Sequence, residues 1–169
     1  MIMVMSGCFT YKSVSVDDIK DAGYTVNEEG NGRFYITDNG ADYYFYNSNG
    51  KSVFENVVIK LPANSSEAQA RGLEAEVKIT KKKGKKMTVL YTNPTIKTYS
   101  NGNEEIYNFT QFYEFKDNFE EENLTNTRGF ADIRGHYSSF TSNRLSPYEL
   151  NNYYVRGFEL EEELNTISN

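Results

Sequence analysis

Two Asn-Gly dipeptides, Asn39-Gly40 and Asn49-Gly50, constrain the fold of this chain more than any other feature. Each lies between runs of alternating aromatic, aliphatic and polar residues. An Asn-Gly pair is typical of a two-residue hairpin loop, because a type I′ turn needs a positive φ at both loop positions. The first loop sets Phe34 opposite Phe45, and the second sets Phe45 opposite Phe54. We therefore predict two consecutive β-hairpins that share a strand.

Two further turns extend this pattern along the chain. A three-residue loop at Gly30-Asn31-Gly32 sets Val26 opposite Ile36. A second three-residue loop, Lys82-Lys83-Gly84, sets Ile79 opposite Met87. The local pairings predict a mainly β fold, an antiparallel meander over residues 24–115 that forms a sandwich or a barrel.

The second of these loops lies in a stretch with six lysines between Lys78 and Lys86. Lysines at a hairpin tip protect a strand edge against aggregation, and they also attract an acidic partner surface. Polyanion binding is the third alternative, although no aromatic residues alternate with the lysines. We predict that the lysine hairpin contacts a protein or ligand through Lys81, Lys82, Lys83, Lys85 and Lys86.

Tyrosines occupy the second face of the central hairpins. The period of two places Tyr35, Tyr44 and Tyr46 opposite the face that carries Phe34 and Phe45. A sheet with one solvated face normally shows polar residues there. We therefore expect this face to be covered by the C-terminal part of the chain, by a partner protein, or by a ligand such as a glycan.

The length and composition fit one domain. The 169 residues are 15% aromatic and contain no Trp, a mixture that favours strands. We predict a single β-rich domain over residues 15–169, in which the segment 116–169 packs on the meander. Residues 116–126 are polar and acidic, as in a linker, and residues 129–141 return to strand-like spacing. Residues 1–14 form an N-terminal arm or a truncated signal segment.

Helix signals flank the meander. Ser15 is a plausible N-cap for a short helix that ends near Gly23. Ser146 and Glu149 have the spacing of a capping box, with Pro147 at the first helical position, so we predict a helix over residues 147–156. Between the strands, residues 62–72 predict a loop with at most one helical turn, either a crossing between sheets or a ligand lid.

The N-terminal sequence Met5-Ser6-Gly7-Cys8 resembles a bacterial lipobox, in which the cysteine is lipidated and becomes the mature N-terminus. The resemblance implies a bacterial lipoprotein anchored at the cell envelope through Cys8, outside the cytoplasm. The alternative is that residues 2–5 form a first strand and Cys8 is a small buried side chain. In that case the chain is cytoplasmic or associated with a virion.

Several classes of chemistry have little support in the sequence. One Cys and one His exclude a disulfide framework and a Cys/His zinc site within one chain. The histidine, His136, has no defensible catalytic neighbours, and we predict no catalytic residue, metal or cofactor. A net charge of −6 makes nucleic acid an unfavourable partner.

Two functional hypotheses follow. The first is a non-enzymatic interaction or assembly module, either an envelope-anchored lipoprotein or a structural component of a larger particle. The second is a β-barrel that binds a small molecule or glycan through its tyrosine-rich face. A partner protein or self-association is expected under the first hypothesis. Membrane contact is expected only through the lipid anchor.

Overall fold

The computed structural model describes residues 13–81, 86–131 and 145–167, with the side chains of Lys81, Phe130 and Ala131 left out. These residues form eight strands in one sheet. The strands are β1 (Val26–Gly30), β2 (Arg33–Asp38), β3 (Ala41–Ser48), β4 (Lys51–Pro62), β5 (Glu74–Lys81), β6 (Lys86–Thr98), β7 (Glu104–Lys116) and β8 (Leu124–Ala131). The helices are α1 (Val16–Asp21), α2 (Ser66–Ala70) and α3 (Pro147–Asn165), with a 3₁₀ turn at Glu121–Asn123.

Every strand pairs antiparallel with its neighbours in the chain, so the sheet order is β1 through β8. The described strands form a single sheet rather than two facing sheets. The predicted fold class is confirmed: the chain is mainly β, with a short N-terminal helix and a C-terminal helix.

The predicted registers of the first three hairpins are confirmed. Phe34 lies opposite Phe45, Phe45 lies opposite Phe54, and Val26 lies opposite Ile36. In the loop between β2 and β3, Asn39 has a φ of 50° and Gly40 a φ of 80°. Positive φ at both positions is what the Asn-Gly turn requires.

The predicted register of β5 and β6 is wrong by two residues. Ile79 lies opposite Val89, and it is Lys81 that lies opposite Met87. The connection is therefore longer than the three residues that we predicted. Because side chains alternate with a period of two, an even shift leaves every residue on the predicted face. Ile79, Met87 and Val89 are accordingly all buried together.

The meander is one strand longer than the range 24–115. β8 pairs with β7 from Ala131 opposite Phe109 to Leu124 opposite Phe115. The linker predicted over 116–126 is thus shorter, because β8 already begins at Leu124. The strand-like spacing predicted over 129–141 covers only the end of this strand, and residues 132–141 lie outside the described residues. The threonine and asparagine residues at 125–127 give its first half no hydrophobic alternation.

The segment between β4 and β5 is a short local connection. It contains α2, which fits the prediction of at most one helical turn. Pro62 pairs with Glu74, so β4 and β5 are direct neighbours in one sheet. The prediction of a crossing between sheets is wrong. The side chain of Ala68 in α2 is buried, so this connection packs on the rest of the domain.

The C-terminal helix α3 covers one face of the sheet, which we call the inner face. Ser146 and Glu149 form the predicted capping box, but the helix continues to Asn165 rather than ending at residue 156. Leu160 and Leu164 of this helix are fully buried. The hydrophobic core lies between this helix and inner-face side chains such as Tyr43, Phe45 and Val57. Within the described residues, no helix combines the length and apolar character needed to cross a bilayer.

Candidate interaction surface

The opposite, outer face of β2, β3 and β4 carries an aromatic cluster. Pairing between strands sets Tyr35 opposite Tyr44, Arg33 opposite Tyr46, and Tyr46 opposite Val53. These five residues, which we call the tyrosine patch, come from three strands joined by the two Asn-Gly turns. The sequence prediction that Tyr35, Tyr44 and Tyr46 share a face is therefore confirmed.

Ring contacts hold one half of the patch together. The ring centroids of Tyr35 and Tyr44 lie 4.9 Å apart. The Arg33 guanidinium carbon lies 4.6 Å from the centroid of the Tyr44 ring, on its face. This is the geometry of a cation–π interaction. Burial raises the pKa of Tyr44, and the charges of Glu29 and Asp42 raise it further, so the phenol stays neutral at pH 7.

Polar neighbours fix the position of the Arg33 side chain. Its Nη1 donates a hydrogen bond of 2.7 Å to Oε1 of Glu29, and its Nη2 donates one of 3.2 Å to Oδ1 of Asn56. Its Nε lies 3.8 Å from Oε2 of Glu55. Asn56 is only 5% exposed, so its amide is a rigid anchor. The guanidinium plane is thus preorganised above Tyr44 before any partner arrives.

The other half of the patch is open to solvent. Tyr46 is 40% exposed and Val53 is 43% exposed, and they are directly opposite each other across β3 and β4. From the sequence, the C-terminal segment is one of three groups that could cover the tyrosine face. Helix α3 instead packs on the inner face, where Gly157 faces Tyr43 and Val57. The described part of the C-terminal segment therefore leaves Tyr46 and Val53 accessible.

The side chains of the patch differ in chemistry. It combines aromatic rings, one aliphatic side chain and a fixed guanidinium, with carboxylates at its margin. None of these groups is a nucleophile activated by a neighbouring base. Across residues 13–81, 86–131 and 145–167, no three His, Cys, Asp or Glu side chains come together as a metal site.

The other residues considered in the sequence analysis lie mostly outside the described residues. This holds for Cys8, for His136, and for Lys82, Lys83 and Lys85 of the lysine hairpin. The side chain of Lys81 is likewise not described. Lys86 is exposed at the start of β6, and its Nζ lies 3.9 Å from Oε1 of Glu114 on β7. The structure thus places Lys86 on a different pair of strands from the tyrosine patch.

Two members of the patch, Arg33 and Val53, were not among the predicted contact residues. The predicted hairpin registers already contained the necessary signal. A loop at Asn39-Gly40 that pairs Phe34 with Phe45 also pairs Arg33 with Tyr46. Cation–π stacking then follows from the neighbouring position of Tyr44 on the same face.

Comparisons of the chain with protein-family models, with curated protein sequences and with solved structures give no match.

Proposed function

We propose that this protein is a non-enzymatic interaction or assembly module that binds a protein partner through the tyrosine patch. The observation that carries the proposal is the exposed Tyr46–Val53 pair beside the ordered Arg33–Tyr44 stack. Tyrosine and arginine are enriched among the residues that dominate binding energy at protein interfaces. A rigid aromatic and guanidinium platform loses little conformational entropy when a partner docks on it.

A second candidate is glycan binding by the same surface. The observation that favours it is that polar side chains lie beside the tyrosine rings. Arg33 donates a hydrogen bond to Asn56 and lies within ion-pair distance of Glu55. Sugar rings stack on aromatic faces, while their hydroxyl groups need donors and acceptors at the edge. Binding to immobilised oligosaccharides, with loss of binding on substitution of Tyr46, would favour this candidate over a protein partner.

The test is a double substitution with a matched control. Y46S combined with V53S removes the exposed half of the patch. Y148S combined with V155S makes the same two changes on α3, where Tyr148 is 76% and Val155 is 43% exposed. The tagged variants are produced in the native host, and complexes are chemically cross-linked and sized by gel filtration. We expect a discrete complex that survives the α3 changes and is lost with the patch changes.

Equal behaviour of the two double variants would contradict the proposal. Far-UV circular dichroism and urea unfolding of each purified variant show whether the fold is intact. All four positions are exposed, so neither variant removes a core side chain.

Two cellular settings fit the proposed module. One is an envelope-anchored bacterial lipoprotein, lipidated at Cys8, and the other is a structural component of a larger particle such as a virion. Mass spectrometry of the protein from its native host distinguishes them. A diacylglycerol adduct on Cys8 supports the envelope setting, whereas an unmodified Cys8 supports the particle setting.

A further inference from the structure

The two edges of the sheet differ in charge. Within the described residues, β8 is an edge strand with four consecutive exposed residues, Thr125 to Arg128, and Arg128 is the only charged residue in the strand. β1 is the other edge of the described pairing. It carries Glu28 and Glu29, both exposed, and no basic residue.

Arg128 is positioned to meet a carboxylate. Its guanidinium carbon lies 4.6 Å from the centroid of the Phe112 ring on the outer face, so the side chain is held at the edge. Among the described residues, Arg128 forms no ion pair. Glu29 also has its carboxylate on the outer face, because it accepts a hydrogen bond of 2.7 Å from Arg33. The unmatched cation and the acidic group thus lie on the same face at opposite edges.

Strand direction permits these edges to join between copies. Seven successive antiparallel pairings separate β1 from β8, so the two edge strands run in opposite directions. In a second copy with the same orientation, β1 is therefore antiparallel to β8 of the first copy. The outer faces of the two copies also lie on the same side, as a continuous sheet requires.

We infer that β8 of one copy pairs with β1 of a second copy, with Arg128 next to Glu29 across the joint. This inference rests on the proposed assembly role and adds a second contact to it, separate from the tyrosine patch, with another copy of this chain. Joining two β8 edges brings two Arg128 side chains to the outer face of one joint. Joining two β1 edges brings two Glu29 side chains to the outer face and two Glu28 side chains to the inner face. Like charges across paired strands are unfavourable, and opposite charges are favourable. The charges therefore select the head-to-tail joint, which builds a ring or a filament rather than a two-fold dimer.

The first experiment locates the joint by zero-length cross-linking. The R128K variant keeps the charge and supplies an amine that carbodiimide can couple to a carboxylate in direct contact. Unlabelled and ¹⁵N-labelled R128K protein are mixed, cross-linked and digested. We expect mixed-isotope peptides that join position 128 to Glu29. Oligomers without this link would overturn the inference, and so would a chain that stays monomeric at millimolar concentration.

The second experiment measures the charge dependence by sedimentation velocity. R128E should raise the dissociation constant of the joint roughly two- to thirty-fold, since an attractive pair becomes a repulsive one. R128K should keep association near the wild-type level, because it preserves the charge at this position and leaves Glu29 bonded to Arg33. R71E is the matched control, because it changes the net charge equally and Arg71 lies in the β4–β5 connection, bonded to Glu104. Equal weakening by R71E and R128E would overturn the inference.

Failure here is distinguishable from failure of the proposed function. The tyrosine patch is tested by Tyr46 and Val53, which lie on β3 and β4, away from both edges. Loss of the native complex on substitution of these two residues, together with no cross-link at position 128, would support the interaction module and reject the joint between the sheet edges.

Discussion

Arg156 of α3 donates two hydrogen bonds to Oδ2 of Asp38, at 3.2 Å from Nε and 2.9 Å from Nη2. Asp38 is the last residue of β2, directly before the Asn39-Gly40 turn. The same guanidinium donates from Nη1 to Oε2 of Glu163 at 2.7 Å. One side chain thus connects the C-terminal helix to the hairpin that carries the tyrosine patch.

We predict that R156M lowers the free energy of unfolding by about 1–2 kcal/mol. Hydrogen bonds to charged groups contribute roughly 1.5–3 kcal/mol, and partial exposure of the pair reduces this. Urea unfolding followed by circular dichroism measures the loss. R71M is the control, because the Arg71–Glu104 pair is more exposed and should contribute less than about 1 kcal/mol. Equal losses in the two variants would show that Arg156 is an ordinary surface cation.

Glu163 should make stability depend on pH. Its carboxylate accepts hydrogen bonds from the Tyr24 hydroxyl at 2.8 Å and from Arg156, and these lower its pKa below the ordinary value. A carboxylate with a lowered pKa in the folded state stabilises the fold above its unfolded pKa. That contribution disappears as the pH falls through the lowered value.

E163Q removes this titration. We expect the wild type to be more stable than E163Q at pH 7, and the difference to shrink as the pH is lowered from about 5 to 3. Urea unfolding at several pH values in this range tests the sign. A difference that stays constant with pH would mean that the Glu163 carboxylate is not stabilised by Tyr24 and Arg156.

Gly157 offers a substitution with a predicted gain. A Cβ at this position would lie 3.6 Å from Cδ1 of Tyr43 and 3.7 Å from Cγ2 of Val57, which is ordinary van der Waals contact. Alanine is favoured over glycine in a helix interior by roughly 1 kcal/mol. G157A should therefore raise the free energy of unfolding by about 0.5–1 kcal/mol. G157L should lower it, because a large side chain has no room against Tyr43. Destabilisation by alanine would place the helix closer to the sheet than described.

Gly50 should be far less tolerant of alanine than Gly40. Both have a φ in the left-handed region, 76° and 80°, where an L-residue costs roughly 1–2 kcal/mol. A Cβ on Gly40 meets nothing within 4 Å, whereas one on Gly50 lies 2.6 Å from Cβ of Ser13. The nitrogen of Val14 also donates to the Gly50 carbonyl at 3.1 Å.

We therefore expect G50A to destabilise the fold by more than G40A, by about 1–3 kcal/mol, as overpacking typically does. Thermal unfolding of the two variants measures the difference. Equal shifts in Tm would show that Ser13 and Val14 do not dock on this turn.

Sequence patterns predicted correctly those strand pairings that depend on local interactions. The Asn-Gly turns determined the pairing of Phe34, Phe45 and Phe54, because two residues set the register of a whole hairpin. No turn motif sets the register at the lysine-rich loop. We therefore predicted that Ile79 pairs with Met87, whereas it pairs with Val89. Hydrophobic spacing identified only the end of β8, residues 129–131, because its polar first half is specified by pairing with β7.

The position of α3 was beyond sequence reasoning for a different reason. Its capping box identified the start, but the predicted helix ended at residue 156, directly before Gly157. In the structure this glycine is buried facing Tyr43 and Val57, and the helix continues past it to Asn165. Which face of the sheet α3 covers follows from such tertiary contacts, and that choice leaves Tyr46 exposed.

Site-specific photo-cross-linking in the native host tests the central claim most directly. The photoreactive residue p-benzoylphenylalanine replaces Tyr46 of β3 in one protein and Tyr148 of α3 in another, both exposed aromatic positions. The account predicts a discrete adduct from position 46 that disappears when V53S is added, and no such adduct from position 148. Adducts of equal yield from both positions, or an adduct at position 46 that is unaffected by V53S, would contradict it.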